Sequence, residues 1–126
     1  MIPFAIFVGA GLGGVARYAV GAWVHAFAGT AFPWGTILVN VTGSFLVAVL
    51  YVLLAGTTDS PALRALLGIG FCGGYTTFSA FSYESVRLLE EGEWERAMLY
   101  IVGCVTLSIA AALVGLGLAG RLLRKT

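Results

Sequence analysis

The longest uncharged stretch of the sequence runs from Tyr18 to Thr58 and contains no Asp, Glu, Lys or Arg. A helix that crosses a lipid bilayer takes about 20 apolar residues, so this stretch is long enough to cross twice. Pro33 lies near its middle, in the segment AGTAFPWG, where a turn is expected. The stretch therefore predicts two transmembrane helices joined by a short loop.

The composition extends this prediction to the whole chain. Of the 126 residues, 60% are hydrophobic and 10% are charged, whereas a soluble domain of this size needs a more highly charged surface. Apolar segments of sufficient length lie at about residues 2–25, 35–54, 61–83 and 97–120. We therefore expect an all-α membrane protein in which four transmembrane helices form a single domain over residues 1–126.

The remaining reactive residues and the net charge argue against a metal site of the Cys/His kind, a nucleic-acid-binding protein and an enzyme. Cys72 and Cys104 fall inside predicted spans without metal-ligand spacing, and His25, the single histidine, lies near a helix end. The net charge of +1 is too small to indicate nucleic-acid binding. The sequence contains no Gly-x-Ser-x-Gly motif. We therefore expect that the chain is not an enzyme.

An even number of spans puts both termini on one side of the membrane, together with the loop between the second and third spans. Positive charge on the loops normally sets the orientation, and here the two sides differ little. The side with the termini carries Arg64, Arg121, Arg124 and Lys125, and the opposite side carries Arg87 and Arg96. This weak bias is compatible with insertion in both orientations, and an antiparallel homodimer is then available. The alternative, a single orientation with both termini in the cytoplasm, stays open.

The spacing of glycines indicates close helix packing. Gly9 and Gly13 are four residues apart, as are Gly70 and Gly74. This small-xxx-small spacing lets membrane helices approach closely. The first and third spans therefore carry small-residue surfaces that we expect to point outward and to pack between subunits.

Polar side chains within spans are costly in lipid and therefore mark candidate functional positions. The candidates are Arg17, Asn40, the hydroxyl-bearing residues between Thr76 and Ser82, Glu84, Tyr100, Thr106 and Ser108. The deepest charge, Arg17, is positive, and Glu84 is expected only at the end of the third span. A cation, an amide and several hydroxyls together favour an anion as the ligand.

Three of these side chains form a stripe in the fourth span, where Tyr100, Cys104 and Ser108 lie four residues apart. A phenol, a thiol and a hydroxyl are all hydrogen-bond donors, so this stripe can face an anion. Two alternatives stay open. A hydroxyl can bond the carbonyl of its own helix one turn back, and the amide of Asn40 can join helices instead of pointing at an anion.

The segment GFCGGYTTFSAFSYE, residues 70–84, interrupts the third span. Gly73 and Gly74 weaken the helix, and a break at membrane depth leaves carbonyls that protein, water or an ion must satisfy. Such carbonyls are ligands for a hard cation such as Na⁺. Phe78 and Phe81 follow at i and i+3, and their positively polarised ring edges can meet a small anion. The alternative for this pair is plain contact with the core or with lipid.

Together these segments resemble the Fluc (CrcB) family of microbial fluoride channels over nearly the whole chain. The similarity lies in GLGGVARY of the first span, PWGTILVNVTGSF of the second, GFCGGYTTFSAFSYE of the third and the polar stripe of the fourth. The resemblance implies a fluoride-selective passive channel that exports fluoride from the cytoplasm across the cell inner membrane and lowers its toxicity. It also implies an antiparallel, dual-topology homodimer with two fluoride pathways and one central structural Na⁺.

The resemblance further implies roles for individual residues. The positions that match the fluoride pathway of the family are Asn40, Phe78, Ser79, Phe81, Tyr100 and Ser108. Gly73 and Thr76 match the positions whose backbone carbonyls hold Na⁺, and Arg17 and Glu84 match structural polar residues. Cys104 stands where some relatives place a serine. Because a thiol is the poorer donor, this departure puts a fluoride contact at Cys104 in doubt.

Two other functions compete with a passive fluoride channel. A small multidrug-type exporter also has four helices, but it needs a membrane-embedded carboxylate to exchange protons for cationic drugs, and the first span offers Arg17 instead. A non-transporting assembly subunit would use Asn40 and the phenylalanine pair only for packing, and it would show no ion flux when reconstituted alone. The sequence shows no nucleotide-binding motif and no buried proton carrier, which favours passive flow.

Overall fold

The computed structural model describes residues 1–57 and 59–124, which form helices joined by short connections. The first helix, Ile2–Ala28, is followed by Gly29, whose φ of 72° favours glycine at the end of a helix. The second helix is Trp34–Thr57, and the last helix is Trp94–Leu123. The prediction of an all-α fold is confirmed for the described residues.

Within these described ranges, three helices are long and apolar enough to cross a membrane. They are Ile2–Ala28, Trp34–Ala55 and Trp94–Leu123. They correspond to the predicted first, second and fourth spans, and each extends a few residues beyond the predicted ends. The chain is therefore a multi-pass membrane protein.

The region of the predicted third span folds as two consecutive half-helices. The first half-helix, residues 61–75, joins an α-helical turn to a π-helical segment and a final helical turn, which are Pro61–Arg64, Ala65–Cys72 and Gly73–Tyr75. The second half-helix is Phe78–Glu90. The expected break is present, and neither half alone has the length of a membrane span.

The break lies C-terminal to the two glycines that were expected to cause it. Gly73 is helical, with φ −65° and ψ −38°, and Gly74 lies in the helical turn that follows. The extended residues are Thr76, with φ −79° and ψ 159°, and Thr77, with φ −148° and ψ 118°. Glycine weakens a helix by only about 1 kcal/mol, and the chain leaves helical geometry where side chains offer its backbone other partners.

The second half-helix continues to Glu90 instead of ending near Tyr83, so Glu84 lies in its interior and not at an end. Charged residues lower the hydropathy of the last turns, but they do not stop the helix. Arg87 Nε lies 3.5 Å from Glu91 Oε1, an i, i+4 pair of the kind that supports a helix. The helix gives way to a turn at Gly92, which has φ 77°.

Glycines let the first helix lie directly on the first half-helix. A Cβ atom built on Gly9 would collide with the carbonyl oxygen of Leu66, and one built on Gly74 would collide with the carbonyl oxygen of Ala10. No side chain separates the two backbones at these points. The prediction that these small-xxx-small surfaces point outward is therefore wrong for the described residues, because they pack against each other within the subunit.

The second helix lies along the last helix, and the second half-helix packs against the same partner. A Cβ atom on Gly115 would lie 2.8 Å from the carbonyl oxygen of Phe45, so the two backbones approach closely. The buried core cluster consists of Phe32, Phe81, Leu88, Ala97, Tyr100 and Cys104. Outside this core many large apolar side chains are exposed, as expected for a surface in lipid or against another subunit.

Candidate functional site

The break in the third region is held by the side-chain amide of Asn40, which lies in the interior of the second helix. Asn40 Oδ1 accepts a hydrogen bond from Thr77 N at 2.8 Å, and Asn40 Nδ2 donates to Thr77 O at 3.0 Å. Asn40 Nδ2 also donates to Cys104 Sγ at 3.7 Å, a weak acceptor on the last helix. In this conformation Asn40 joins three helical elements, so it has the helix-joining role that the sequence left open.

Two backbone carbonyls at the break lose the donors that a continuous helix would give them. Thr77 N, which would donate to the carbonyl of Gly73, donates to Asn40 Oδ1. Ala80 N, which would donate to the carbonyl of Thr76, donates to Thr77 Oγ1 at 3.1 Å in an N-cap. The carbonyls of Gly73 and Thr76 are thereby released from the helical hydrogen-bond ladder. These are the two residues expected to hold Na⁺.

An open groove of about 470 Å³ lies beside the break. Its polar and small lining residues include Asn40, Ser44, Gly73, Thr76, Thr77, Cys104 and Ser108, and its aromatic lining residues are Phe78 and Phe81. None of the residues that line the groove is charged. The groove therefore brings six of the predicted site residues together, whereas Ser79, Tyr100, Arg17 and Glu84 lie outside its lining.

The two phenylalanines contact each other but differ in burial. Their ring centroids are 5.6 Å apart, with an angle of 43° between the ring planes. Phe81 is 9% exposed, and its ring centroid lies 5.4 Å from that of Tyr100. Phe78 is 78% exposed. The core thus fixes Phe81, while Phe78 extends from the subunit.

Glu84 connects the second half-helix to both neighbouring helices. Thr36 Oγ1 of the second helix donates to Glu84 Oε1 at 3.0 Å, and Tyr100 Oη of the last helix donates to Glu84 Oε2 at 2.6 Å. Tyr100 is fully buried. Its hydroxyl is therefore directed at a carboxylate, one turn away from the groove.

The other predicted hydroxyls have three different environments. Ser108 Oγ lines the groove and is a buried oxygen with no hydrogen-bond partner among the described residues. Ser79 is exposed, and its Oγ lies 3.2 Å from Thr77 Oγ1. Thr106 Oγ1 donates to the carbonyl of Val102 in its own helix at 2.7 Å. Bonding within the helix, the open alternative for such hydroxyls, therefore applies to Thr106 and not to Ser108.

Arg17 lines a second pocket of about 200 Å³ on the side of the first helix. His25, Thr36 and Glu84 lie in the same lining. Thr77 lines both this pocket and the groove, so one residue of the break borders the two cavities. Arg17 and Glu84, which the sequence treats as separate polar residues, therefore belong to one pocket.

Sequence reasoning missed the polar face of the second helix around Asn40. Thr36 and Ser44 lie four residues before and after Asn40, so the three share one face. Thr36 bonds Glu84 and Ser44 lines the groove. The spacing that identified the stripe of the last helix would have identified this stripe as well.

Comparison with known proteins gives consistent matches along the chain. Residues 4–116 match the family described as CrcB-like protein, Camphor Resistance (CrcB). The chain is 50% identical over 116 residues to the fluoride-specific ion channel FluC of Rhizobium meliloti, covering 90% of this chain and 93% of that relative. It is 46% identical over 119 residues to the protein of the same name from Geobacter sulfurreducens, covering 94% and 96%. It is 45% identical over 113 residues to that from Nitrobacter winogradskyi, covering 89% and 90%.

The fold and the site define a multi-pass α-helical membrane protein with a polar, uncharged groove at a helix break. The match over residues 4–116 and the identities of 45% to 50% make the assignment specific. The chain belongs to the CrcB family. The resemblance seen in the sequence is confirmed.

Proposed function

We propose that this chain is a fluoride-selective ion channel that carries fluoride passively out of the cytoplasm across the cell inner membrane and thereby lowers its toxicity. The observation that carries this proposal is the set of relatives named fluoride-specific ion channel, which align with the chain along almost its whole length. Membership in a family of channels also means that the chain is not an enzyme.

The groove offers fluoride what a small, strongly hydrated anion requires. Water must be replaced by protein donors for a pore to select such an ion. Ser108 Oγ is a buried hydroxyl without a hydrogen-bond partner in residues 1–57 and 59–124, and Phe78 and Phe81 present polarised ring edges. No carboxylate lines the groove to repel an anion. We assign the groove part of the pathway to Asn40, Phe78, Phe81 and Ser108, and its continuation outside the groove to Ser79 and Tyr100.

Asn40 contributes to this pathway in two ways. Its amide fixes the break through Thr77, and its remaining N–H points at the thiol of Cys104. A sulfur at 3.7 Å is a weak acceptor, so a fluoride ion in the groove can displace it. In this proposal Cys104 Sγ accepts the Asn40 hydrogen bond when no anion is bound, and the thiol does not donate a hydrogen bond to fluoride.

The released carbonyls support a structural Na⁺ at the break. Gly73 and Thr76 supply two hard oxygen ligands, and hard cations take about six. A second, antiparallel copy would add the equivalent two carbonyls on a two-fold axis. A Na⁺ ion held there would supply positive charge, while Asn40 and Thr77 keep the carbonyls of Gly73 and Thr76 out of the helical hydrogen-bond ladder.

We propose that residues 61–90 act as one broken span, so that each subunit crosses the membrane four times, in both orientations, within an antiparallel homodimer. The exposure of Phe78 and the openness of the groove support this arrangement, because an aromatic pore residue on an open face needs a second surface to enclose the ion. The two subunits together would then form two fluoride pathways.

The test is anion efflux from liposomes that contain the purified protein and a K⁺ ionophore. Rapid loss of fluoride with retention of chloride is expected. Efflux of neither ion from correctly assembled protein would exclude the channel and favour an assembly subunit. Replacing Na⁺ by a large organic cation on both sides should abolish fluoride efflux if Na⁺ is structural, and undiminished efflux would exclude that role.

The two competing functions gain no support. The relatives carry channel names, and Glu84, a carboxylate beside the groove, is engaged by two hydroxyls. A proton-coupled exporter would require that carboxylate to exchange its proton with a cationic drug. Efflux that is independent of a proton gradient would separate the channel from the exporter.

A further inference from the structure

The pocket that contains Arg17 has a histidine at its outer end. Arg17, Gly21 and His25 lie four residues apart on one face of the first helix, and all three line the pocket. Gly35, Thr36 and Val39 of the second helix form a second wall of the pocket. Thr77, Ala80 and Glu84 form a third wall. Thr77 lines both this pocket and the groove.

The imidazole of His25 is held over the start of the second helix. A Cβ atom on Gly35 would lie 3.7 Å from His25 Nε2 and 3.3 Å from the Cα atom of Gly21. His25 itself is exposed to the surroundings. Its ring therefore lies at the exposed mouth of the pocket.

Neither cationic position of this pocket is neutralised by an ion pair. The salt bridges of the described residues join Arg87 to Glu91 and Arg96 to Glu93. Glu84 is the one acidic residue in the lining, and its two oxygens accept from Tyr100 and from Thr36, which follows Gly35 in the second helix.

The formal charge of the pocket therefore depends on His25. With a neutral imidazole, the positive charge of Arg17 and the negative charge of Glu84 sum to zero. Protonation of His25 changes this sum to +1. The second helix places no titratable side chain in the lining, the last helix contributes only the Tyr100 hydroxyl on Glu84, and the pair Arg87–Glu91 beyond Glu84 is balanced.

We propose that His25 is a further anion-attracting residue of this channel, and that its protonation increases fluoride conduction as the pH falls below neutral. Histidine is the side-chain type whose charge changes most readily within the physiological pH range. Positive charge at the mouth of a narrow pocket raises the local concentration of anions. The inference rests on the proposed function, and it couples conduction to the acidic conditions in which fluoride enters a cell as its neutral acid.

The test measures fluoride currents across planar bilayers with equal pH on both sides, because a current reports ion movement and excludes permeation of the neutral acid. Between about pH 7.5 and about pH 5.5 the current of the unmodified protein should rise roughly threefold. His25→Gln should lose this rise. His25→Arg should give the higher current at both pH values.

A double variant provides the matched control. His25→Gln combined with Phe27→His keeps one histidine near the end of the same helix but moves it to an exposed position outside the pocket lining. It should show no rise. A rise that persists in His25→Gln, or an unmodified protein whose fluoride current does not change with pH, would overturn the inference while leaving the channel intact. Absence of fluoride current at either pH would remove the proposed function and this inference together.

Discussion

The side chain of Asn40 pairs with the backbone of Thr77 by two hydrogen bonds, one accepted by Oδ1 at 2.8 Å and one donated by Nδ2 at 3.0 Å. An amide side chain can satisfy a backbone N–H and a backbone C=O at once because it carries both a donor and an acceptor. This pairing replaces the helical bonds that Thr77 would otherwise make. The position of the break is therefore set by a residue of another helix.

Asn40→Asp tests this pairing. The carboxylate keeps an acceptor for Thr77 N but places a second acceptor against Thr77 O, where Nδ2 now donates. We expect fluoride efflux to fall roughly tenfold or more, equivalent to a barrier increase of about 1.4 kcal/mol. Thr106→Val is the control, because Thr106 bonds only its own helix. Equal fluoride efflux in both variants would show that the pairing of Asn40 with Thr77 does not affect conduction.

Phe78→Ile tests the aromatic edge without disturbing the core. Phe78 is 78% exposed, so its replacement should leave the thermal stability unchanged while fluoride efflux falls roughly tenfold or more. Phe7→Ile is the matched control, since Phe7 is 76% exposed and lies outside the groove. Unchanged efflux in Phe78→Ile would show that the ring edge does not serve the ion.

Gly13→Ala tests the close contact between the first helix and the first half-helix. A Cβ atom at Gly13 would collide with the carbonyl oxygen of Phe71, whereas one at Gly14 would meet nothing within 4 Å. Overpacking of this kind costs about 1–3 kcal/mol. Thermal unfolding in detergent should therefore show a lower Tm for Gly13→Ala and an unchanged Tm for Gly14→Ala. Equal Tm values would contradict the packing described above.

Tyr100→Phe tests the hydroxyl that supports Glu84. Its loss removes the 2.6 Å bond to Glu84 Oε2 and leaves Thr36 as the hydroxyl that donates to this carboxylate. Hydrogen bonds between membrane helices are worth about 0.6 kcal/mol on average and at most about 1.7 kcal/mol. Tm should fall by a corresponding small amount, and efflux should fall several-fold. Tyr51→Phe, at a residue that is 76% exposed, should change neither.

The sequence predicted the features that depend on the spacing of residues along a helix and on the free-energy cost of unpaired polar groups in lipid. Tyr100, Cys104 and Ser108 share a face because their spacing dictates it, and Asn40 could not remain without a partner at its depth. The same rule was not applied to Thr36 and Ser44, although their spacing from Asn40 is identical. The spacing of Thr36 and Ser44 was therefore sufficient to predict that they share a face with Asn40, and this prediction was not made.

Two other differences could not be obtained from local sequence. Gly73 and Gly74 are the residues with the weakest helix propensity near the break, yet both stay helical because the competing partner of the backbone, Asn40, reaches Thr77 instead. The direction of the Tyr100 hydroxyl depends on Glu84, which lies in a helix that extends beyond the apolar segment. Both outcomes depend on which helices become neighbours.

The two hydrogen bonds between Asn40 and Thr77 also constrain how the protein is made. In lipid, an extended peptide at residues 76 and 77 would leave an amide and a carbonyl without partners until Asn40 reaches them. The ribosome releases Asn40 before Thr77, so the partner is already in the bilayer when the broken segment arrives. Synthesis in the order of the sequence therefore lets the break form against the second helix, which is already in the bilayer. A circularly permuted chain that began at residue 61 would insert the break before Asn40 was present.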